Sequence, residues 1–149
     1  MEYMVTNHSC KKDGLLSRRL TVDDYGLLSE LYNSVGWTKR AMASRAILQR
    51  NLVYGLFKDE IFVSAVEVCA RSPRAWMLCS MATHSAFQGK GYATQLLCRL
   101  TELAYNQAIS RLCLYVDPSN EPARRLYERL GFKLKAEKPR LVYEPTGAL

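Results

Sequence analysis

Three stretches of this 149-residue chain hold groups whose types and spacing could do chemistry. In Phe87-Gln88-Gly89-Lys90-Gly91-Tyr92-Ala93-Thr94, two glycines flank a lysine, and an apolar series follows at Ala93, Leu96, Leu97, Leu100 and Ala104. That spacing marks one face of a helix, so a glycine turn runs straight into a helix N-terminus. Unpaired N–H groups and the positive end of the helix dipole favour an anion there, most simply a phosphate. On these residues alone, a tight turn with no ligand is an equal alternative. A Walker-type loop is excluded by the missing Gly-Lys-Ser/Thr ending, and a dinucleotide fingerprint by Thr94 standing where a third glycine belongs.

The second stretch is Ala65-Val66-Glu67-Val68-Cys69, where a carboxylate inside an apolar run either faces a cleft or costs stability. The third is Asn120 to Phe132. Asn120 stands just ahead of a helix, where its ordinary role is an N-cap. Tyr127 shares an apolar face with Ala123, Leu126 and Leu130, as a core aromatic would.

The elements that must position these groups alternate as in one α/β domain. Residues 1–14 are polar and read as a flexible arm, with a single domain over 15–149. A short strand near Ser17–Leu20 leads to Thr21-Val22-Asp23-Asp24, a capping-box-like helix start. A first helix is expected to about Asn33, and a second, capped by Thr38, to about Arg50. Two strand-like runs joined at Lys58-Asp59-Glu60 form a hairpin, and a third follows Ser72-Pro73. After the glycine turn and its helix come a buried strand, RLCLYV, a short helix stopped at Gly131, and a final strand, PRLVYE.

Composition narrows the setting. A hydrophobic content of 48% suits one compact core. No apolar run is long enough to span a bilayer, and the first residues lack a secretory signal, so a cytoplasmic protein without membrane association is expected. The net charge of +7 is scattered, with no long basic run and no aromatic-studded RNA signature, which argues against nucleic acid. The five cysteines include no C-x-x-C pair. Cys69, Cys79, Cys98 and Cys113 lie in apolar segments and read as reduced core thiols, and no metal site is expected.

Two motifs carry a family resemblance. Gln88-Gly89-Lys90-Gly91-Tyr92-Ala93 resembles the Q/R-x-x-G-x-G/A signature of the GNAT superfamily of acyl-CoA-dependent N-acetyltransferases, at Gln88, Gly91 and Ala93. Asn120-x-x-Ala123-x-x-x-Tyr127-x-x-x-Gly131-Phe132 resembles its downstream motif. The resemblance spans about Leu16 to Glu144, and the loop at 32–38 is similar to one in small bacterial members.

It implies a GNAT-like fold: a mixed, mostly antiparallel sheet of six or seven strands with helices on both faces. It implies acetyl-CoA as cosubstrate, its pyrophosphate wrapped by the amides of Gly89, Lys90, Gly91, Tyr92, Ala93 and Thr94. Lys90 either adds charge or is simply an exposed loop residue. Main-chain groups around Met81, Ala82 and Thr83 would pair with the pantetheine arm, in a gap between that strand and the next. Asn120 would contact the same arm, and Tyr127 would protonate the departing thiolate. The implied reaction is direct transfer of acetyl to a small-molecule or peptide amine. The strand Trp76 to Ser80, where some members carry a glutamate, has no carboxylate here, so the candidate base is Glu67, from its place in an apolar run, or a water relay.

The acceptor pocket is expected from the first two helices, Tyr32, Trp37 and the 69–75 turn, with Trp37 serving as acceptor wall or core anchor. His84 is expected to be a loop residue. The alternative reading is a non-catalytic acyl-CoA-binding regulator on the same fold. The sequence leaves open whether the chain is a monomer or a homodimer.

Overall fold

The computed structural model describes residues 14–136 and 141–145. The expected arm lies outside them, save Gly14. The strands are β1 Leu15–Arg19, β2 Leu52–Lys58, β3 Ile61–Arg71, β4 Ala75–Thr83, β5 Arg111–Val116, β6 Phe132–Ala136 and β7 Leu141–Pro145. The helices are α1 Tyr25–Ser34, α2 Thr38–Met42, α3 Ser44–Arg50, α4 Tyr92–Asn106 and α5 Glu121–Arg129. One seven-stranded sheet runs in the order β1-β2-β3-β4-β5-β7-β6. Its neighbours are antiparallel except β4 and β5, which are parallel.

Two apolar layers sandwich this sheet. On one face α4 buries Leu96, Leu97, Leu100 and Ala104 against Leu56, Val66, Val68 and Leu78 of the strands, and Tyr127, Leu130 and Phe132 extend the layer. On the other face α1 to α3 bury Leu28, Leu31, Tyr32 and Ile47 against Val53, Phe57 and Ala65. Helices on both faces cover the central strands, which is why β2 and β3 read as nearly continuous apolar runs.

The expected hairpin forms at Asp59 and Glu60, both with positive φ (48° and 70°), as a type I′ turn demands. The capping box at Thr21 and Asp24 is present, one short turn ahead of α1.

Three expectations need correction. Thr38 does not cap: it is the first residue of α2, with Trp37 before it and no side-chain cap bond. The single helix expected over 38–50 breaks at Ala43, and Ser44 Oγ donates to Ala41 O at 2.8 Å, a back-bond that bends helices. The strand β6 follows Gly131, where only a helix stop is expected, and Phe132, Leu134 and Ala136 alternate there with lysines at strand period.

Cys98 is a further correction. It is disulfide-bonded, whereas Cys69, Cys79 and Cys113 are free thiols as expected. Sequence spacing reports only local pairs, and a bridge closed by the fold leaves no local signal. Among the described residues no helix is long and apolar enough to cross a membrane, and no cluster of residues could hold a metal.

Candidate active site

The site begins where two parallel strands part. β4 and β5 pair from Ala75↔Arg111 to Leu78↔Leu114 and no further, although β4 continues to Thr83 and β5 to Val116. A bulge in β4 accompanies the separation: Cys79 faces Glu67 and Ala82 faces Ala65, so Ser80 and Met81 together oppose Val66. Ser80 takes φ 51° to make it. Bulges end pairing and re-aim side chains. Here Met81 turns to the α4 layer and Ala82 to the opposite one.

The glycine turn closes one end of this gap. Gly89 and Gly91 sit at φ 79° and 80°, in the left-handed region that glycine enters without penalty. No atom lies within 4 Å of a Cβ built on Gly89, so backbone angle rather than crowding requires glycine there. Gly91 is the N-cap of α4, and the first helical bond runs from Gln95 N to Gly91 O. The amides of Tyr92, Ala93 and Thr94 therefore have no partner within the helix. Gln88 Nε2 donates to Thr83 O at 3.1 Å and ties the turn to the end of β4. His84 Nδ1 accepts from Ala86 N, which makes this loop residue the cap of a short turn.

These elements line a cavity of about 430 Å³. Its walls include Met81, Ala82 and Thr83 on β4, Gln88 to Thr94 of the turn except Lys90, and Ala123, Leu126 and Tyr127 of α5. Lys90 is exposed and lies outside it. Tyr127 is buried, its ring 6.1 Å from that of Phe132, and burial pushes its phenol up to about 12.

A second cavity, of about 640 Å³, opens beside the first. Lys39 and Arg40 on α2, Ser80 on β4, and Asp117 and Asn120 after β5 form its walls. Trp37 and Met81 line both cavities. Asn120 serves as an N-cap, its Oδ1 accepting from Ala123 N at 3.3 Å, while it also borders the second cavity. Trp37, on the wall of both cavities, also has its ring 5.5 Å from that of Tyr32.

Behind the second cavity lies Glu67, fully buried. Its carboxylate accepts from Tyr32 Oη, from Arg40 Nε at 3.0 Å and Nη2 at 2.5 Å, and from Asn51 Nδ2 at 3.1 Å. Burial and the neighbouring Glu67 charge push the Tyr32 phenol well above its usual range. Burial opposes the Arg40 charge, but its hydrogen bonds and attraction to Glu67 outweigh that, and the guanidinium stays protonated. Tyr32 is fully buried and lines neither cavity. The turn after β3 also stands apart, at the start of β4, roughly 26 Å of strand from Thr83.

Arg40 and Asn51 were missed in the sequence. A carboxylate in an apolar run signals that buried donors must exist, and Lys39-Arg40 just after Trp37 was the nearest cationic pair to ask about.

A model of the Acetyltransferase (GNAT) family matches residues 23–132. The chain belongs to the GNAT family of acetyltransferases. It is 30% identical over 113 residues, 73% of this chain and 76% of the other, to the [ribosomal protein bS18]-alanine N-acetyltransferase of Haemophilus ducreyi. A shorter match, 42% identical over 50 residues, covers 34% of this chain and 32% of the uncharacterized N-acetyltransferase YycN of Bacillus subtilis, so the chain spans about a third of that relative's length.

Among solved structures, the PaiA N-acetyltransferase of Thermoplasma acidophilum in complex with coenzyme A superposes with a TM-score of 0.76 at 17% identity. That match covers 88% of this chain and 98% of that one. A GNAT acetyltransferase of Elizabethkingia anophelis with acetyl-CoA bound gives 0.73 at 14% identity, covering 90% and 99%. The mixed sheet with helices on both faces is thus the GNAT fold.

Proposed function

We propose that this GNAT enzyme moves an acetyl group from acetyl-CoA to a primary amine by direct transfer, with both molecules bound at once. The observation that carries this reading is the pair of cavities sharing Trp37 and Met81 as a common wall. One cavity suits a cofactor and the other an acceptor. The structural neighbours with coenzyme A or acetyl-CoA bound, and the Haemophilus ribosomal protein alanine N-acetyltransferase, support acetyl-CoA and a small-molecule or peptide amine as the two ligands.

The residues present fit coenzyme A. Tyr92, Ala93 and Thr94 line the first cavity, and their amides, without partners inside the helix, would take the pyrophosphate. The unpaired edge of β4 past Leu78 offers main-chain groups of Met81 and Thr83 to the pantetheine amides. When bound, acetyl-CoA supplies a thioester carbonyl, whose carbon joins the amine nitrogen as its bond to sulfur breaks.

Tyr127 serves as the acid in this reading. A phenol near 12 stays protonated at every working pH, so the donor form is always present. Against a thiol in water, near 8.5, such a phenol is a weak acid. The apolar walls that raise the phenol also raise a thiol bound among them, which narrows the gap.

The base is read differently. Glu67 has its lone pairs committed to Tyr32, Arg40 and Asn51, so water in the open second cavity is the better route for the ammonium proton. Glu67 then anchors α1 and α2 to β3.

The reading is tested by mass spectrometry for a co-purified CoA species, followed by thiol release from acetyl-CoA across an amine panel. Release with at least one amine is expected. CoA binding without release on any amine would leave the non-catalytic acyl-CoA-binding regulator in its place.

A further inference from the structure

Arg40 is presented to the second cavity in an unusual way. Its Nε and Nη2 edge is bound side-on to the buried Glu67, which fixes the guanidinium plane, while the side chain keeps 38% of its exposure. The fork that remains, Nη1 with the second N–H of Nη2, has no hydrogen-bond acceptor among the described residues. Its carbon Cζ lies 5.9 Å from the centre of the Tyr32 ring, a further contact that holds it. An arginine clamped on one edge and open on the other is preorganised for an oxygen anion, because the fork matches a carboxylate and little rotamer freedom remains to be lost.

Across the same cavity stands Asp117, whose Oδ1 accepts from Ser119 N and Oγ. The Ser119 bonds hold its carboxyl below the usual carboxylate range, so it is anionic. No ion pair joins Asp117 to Arg40 or Lys39. The α2 wall therefore presents the Lys39 ammonium and the outer edge of an Arg40 whose charge Glu67 balances, and the β5 wall presents one anion, kept apart from both. A ligand that satisfies both walls must carry both charges.

We infer that the acceptor is an amine that also bears a carboxylate, with Arg40 receiving the carboxylate and Asp117 facing the amine before it loses its proton. This rests on the acetyltransferase reading above and adds the acceptor's class to it. Glu67 is a positioning residue here, acting through Arg40. The carboxylate has two sources, a free amino acid or an acidic side chain near a peptide N-terminus.

The test compares matched acceptors with acetyl-CoA: alanine against alaninamide, and the peptide Ala-Glu-Ala amide against Ala-Gln-Ala amide. In the arm that holds the true source, the carboxylate member should have kcat/KM about tenfold higher or more, the scale of a charge-assisted hydrogen bond. In Arg40→Lys, which keeps the charge beside Glu67 but not the fork, that preference should fall to within about threefold.

The double variant Arg40→Gln with Glu67→Gln leaves no lone buried charge and should lose the preference while its CoA affinity by calorimetry stays unchanged. Calorimetry of the N-acetylated carboxylate product on the CoA-bound protein gives the same comparison without turnover. No preference in either wild-type arm, or a preference that survives in the double variant, overturns the inference. Carboxylate binding that depends on Arg40, with no amine ever acetylated, would sink the transferase reading and leave the carboxylate site standing.

Discussion

The two cavities are built on different principles. The first is made of backbone: a bulged strand edge, two left-handed glycines and the open amides of α4. The second is made of side chains, with Arg40, Asp117 and Asn120 around it and Glu67, Tyr32 and Asn51 behind. In the proposed reading the first cavity takes the phosphates and amides of the cofactor through backbone groups, which needs no particular side chain. The proposed acceptor cavity depends on charged side chains, and such a site, rather than the fold, sets which substrate is taken.

The sharpest way to break this division is Tyr127→Phe, because Tyr127 is the one side chain on the backbone-built cavity to which chemistry is assigned. The ring stays and its packing on Phe132 survives. A loss of roughly 10²- to 10⁴-fold in kcat is expected, with CoA affinity by calorimetry unchanged. Wild-type kcat in this variant, on an acceptor for which chemistry is rate-limiting, would return Tyr127 to the core.

The wild-type pH profile should rise as the amine loses its proton and show no descending limb below about pH 10, since the phenol is pushed up to about 12. The same shift is a stability term. It is fully present below the unfolded tyrosine value near 10 and lost as pH rises through about 12. Alkaline unfolding followed by circular dichroism should therefore begin above pH 10.

Next in size is Glu67→Ala, aimed at the side-chain network. It strands the Tyr32 hydroxyl and the Arg40 guanidinium, one of them fully buried. A destabilisation of about 3–5 kcal/mol is expected from urea unfolding, the usual cost of breaking a buried pair from one side. A loss below about 1 kcal/mol would mean that the network relaxes without its centre and does not hold α2 in place.

The same contrast explains what could be read in the sequence. The glycine turn, α4, the 59–60 hairpin and the Asn120 cap were legible because each is decided within a few residues by backbone angle or local bonding. Glu67 was visible as an anomaly, a carboxylate among valines. Its partners at 32, 40 and 51 were not, because they meet only after α1 to α3 fold onto β3. Tyr32, expected in an acceptor pocket built from the first two helices and their loop, meets Glu67 and lines neither cavity, a placement that only tertiary packing decides. The Cys98 disulfide is a further tertiary fact with no sequence signal.

Gly91→Val sharpens the backbone side. A β-branched residue at φ 80° is strained, and its side chain would stand where the amides of α4 open. Calorimetry should show CoA binding weakened about tenfold or more, with the sheet signal in circular dichroism retained. Unchanged affinity in a folded variant would remove the turn from the cofactor site.

The smallest effect should come from Lys90→Ala, and its smallness is informative. Lys90 sits between the two glycines, where its charge invites the idea that it holds the phosphates. Yet it is exposed and outside the first cavity, while the residues on either side line it. An exposed charge near a ligand contributes at most about 1 kcal/mol, and salt screens it. CoA affinity in Lys90→Ala should fall less than about fivefold at low ionic strength, and the difference should vanish near 0.5 M salt as the screening length shortens. A loss as large as that of Gly91→Val, persisting in salt, would make the cofactor cavity depend on a side chain after all, and the contrast with the acceptor cavity would fail at the turn.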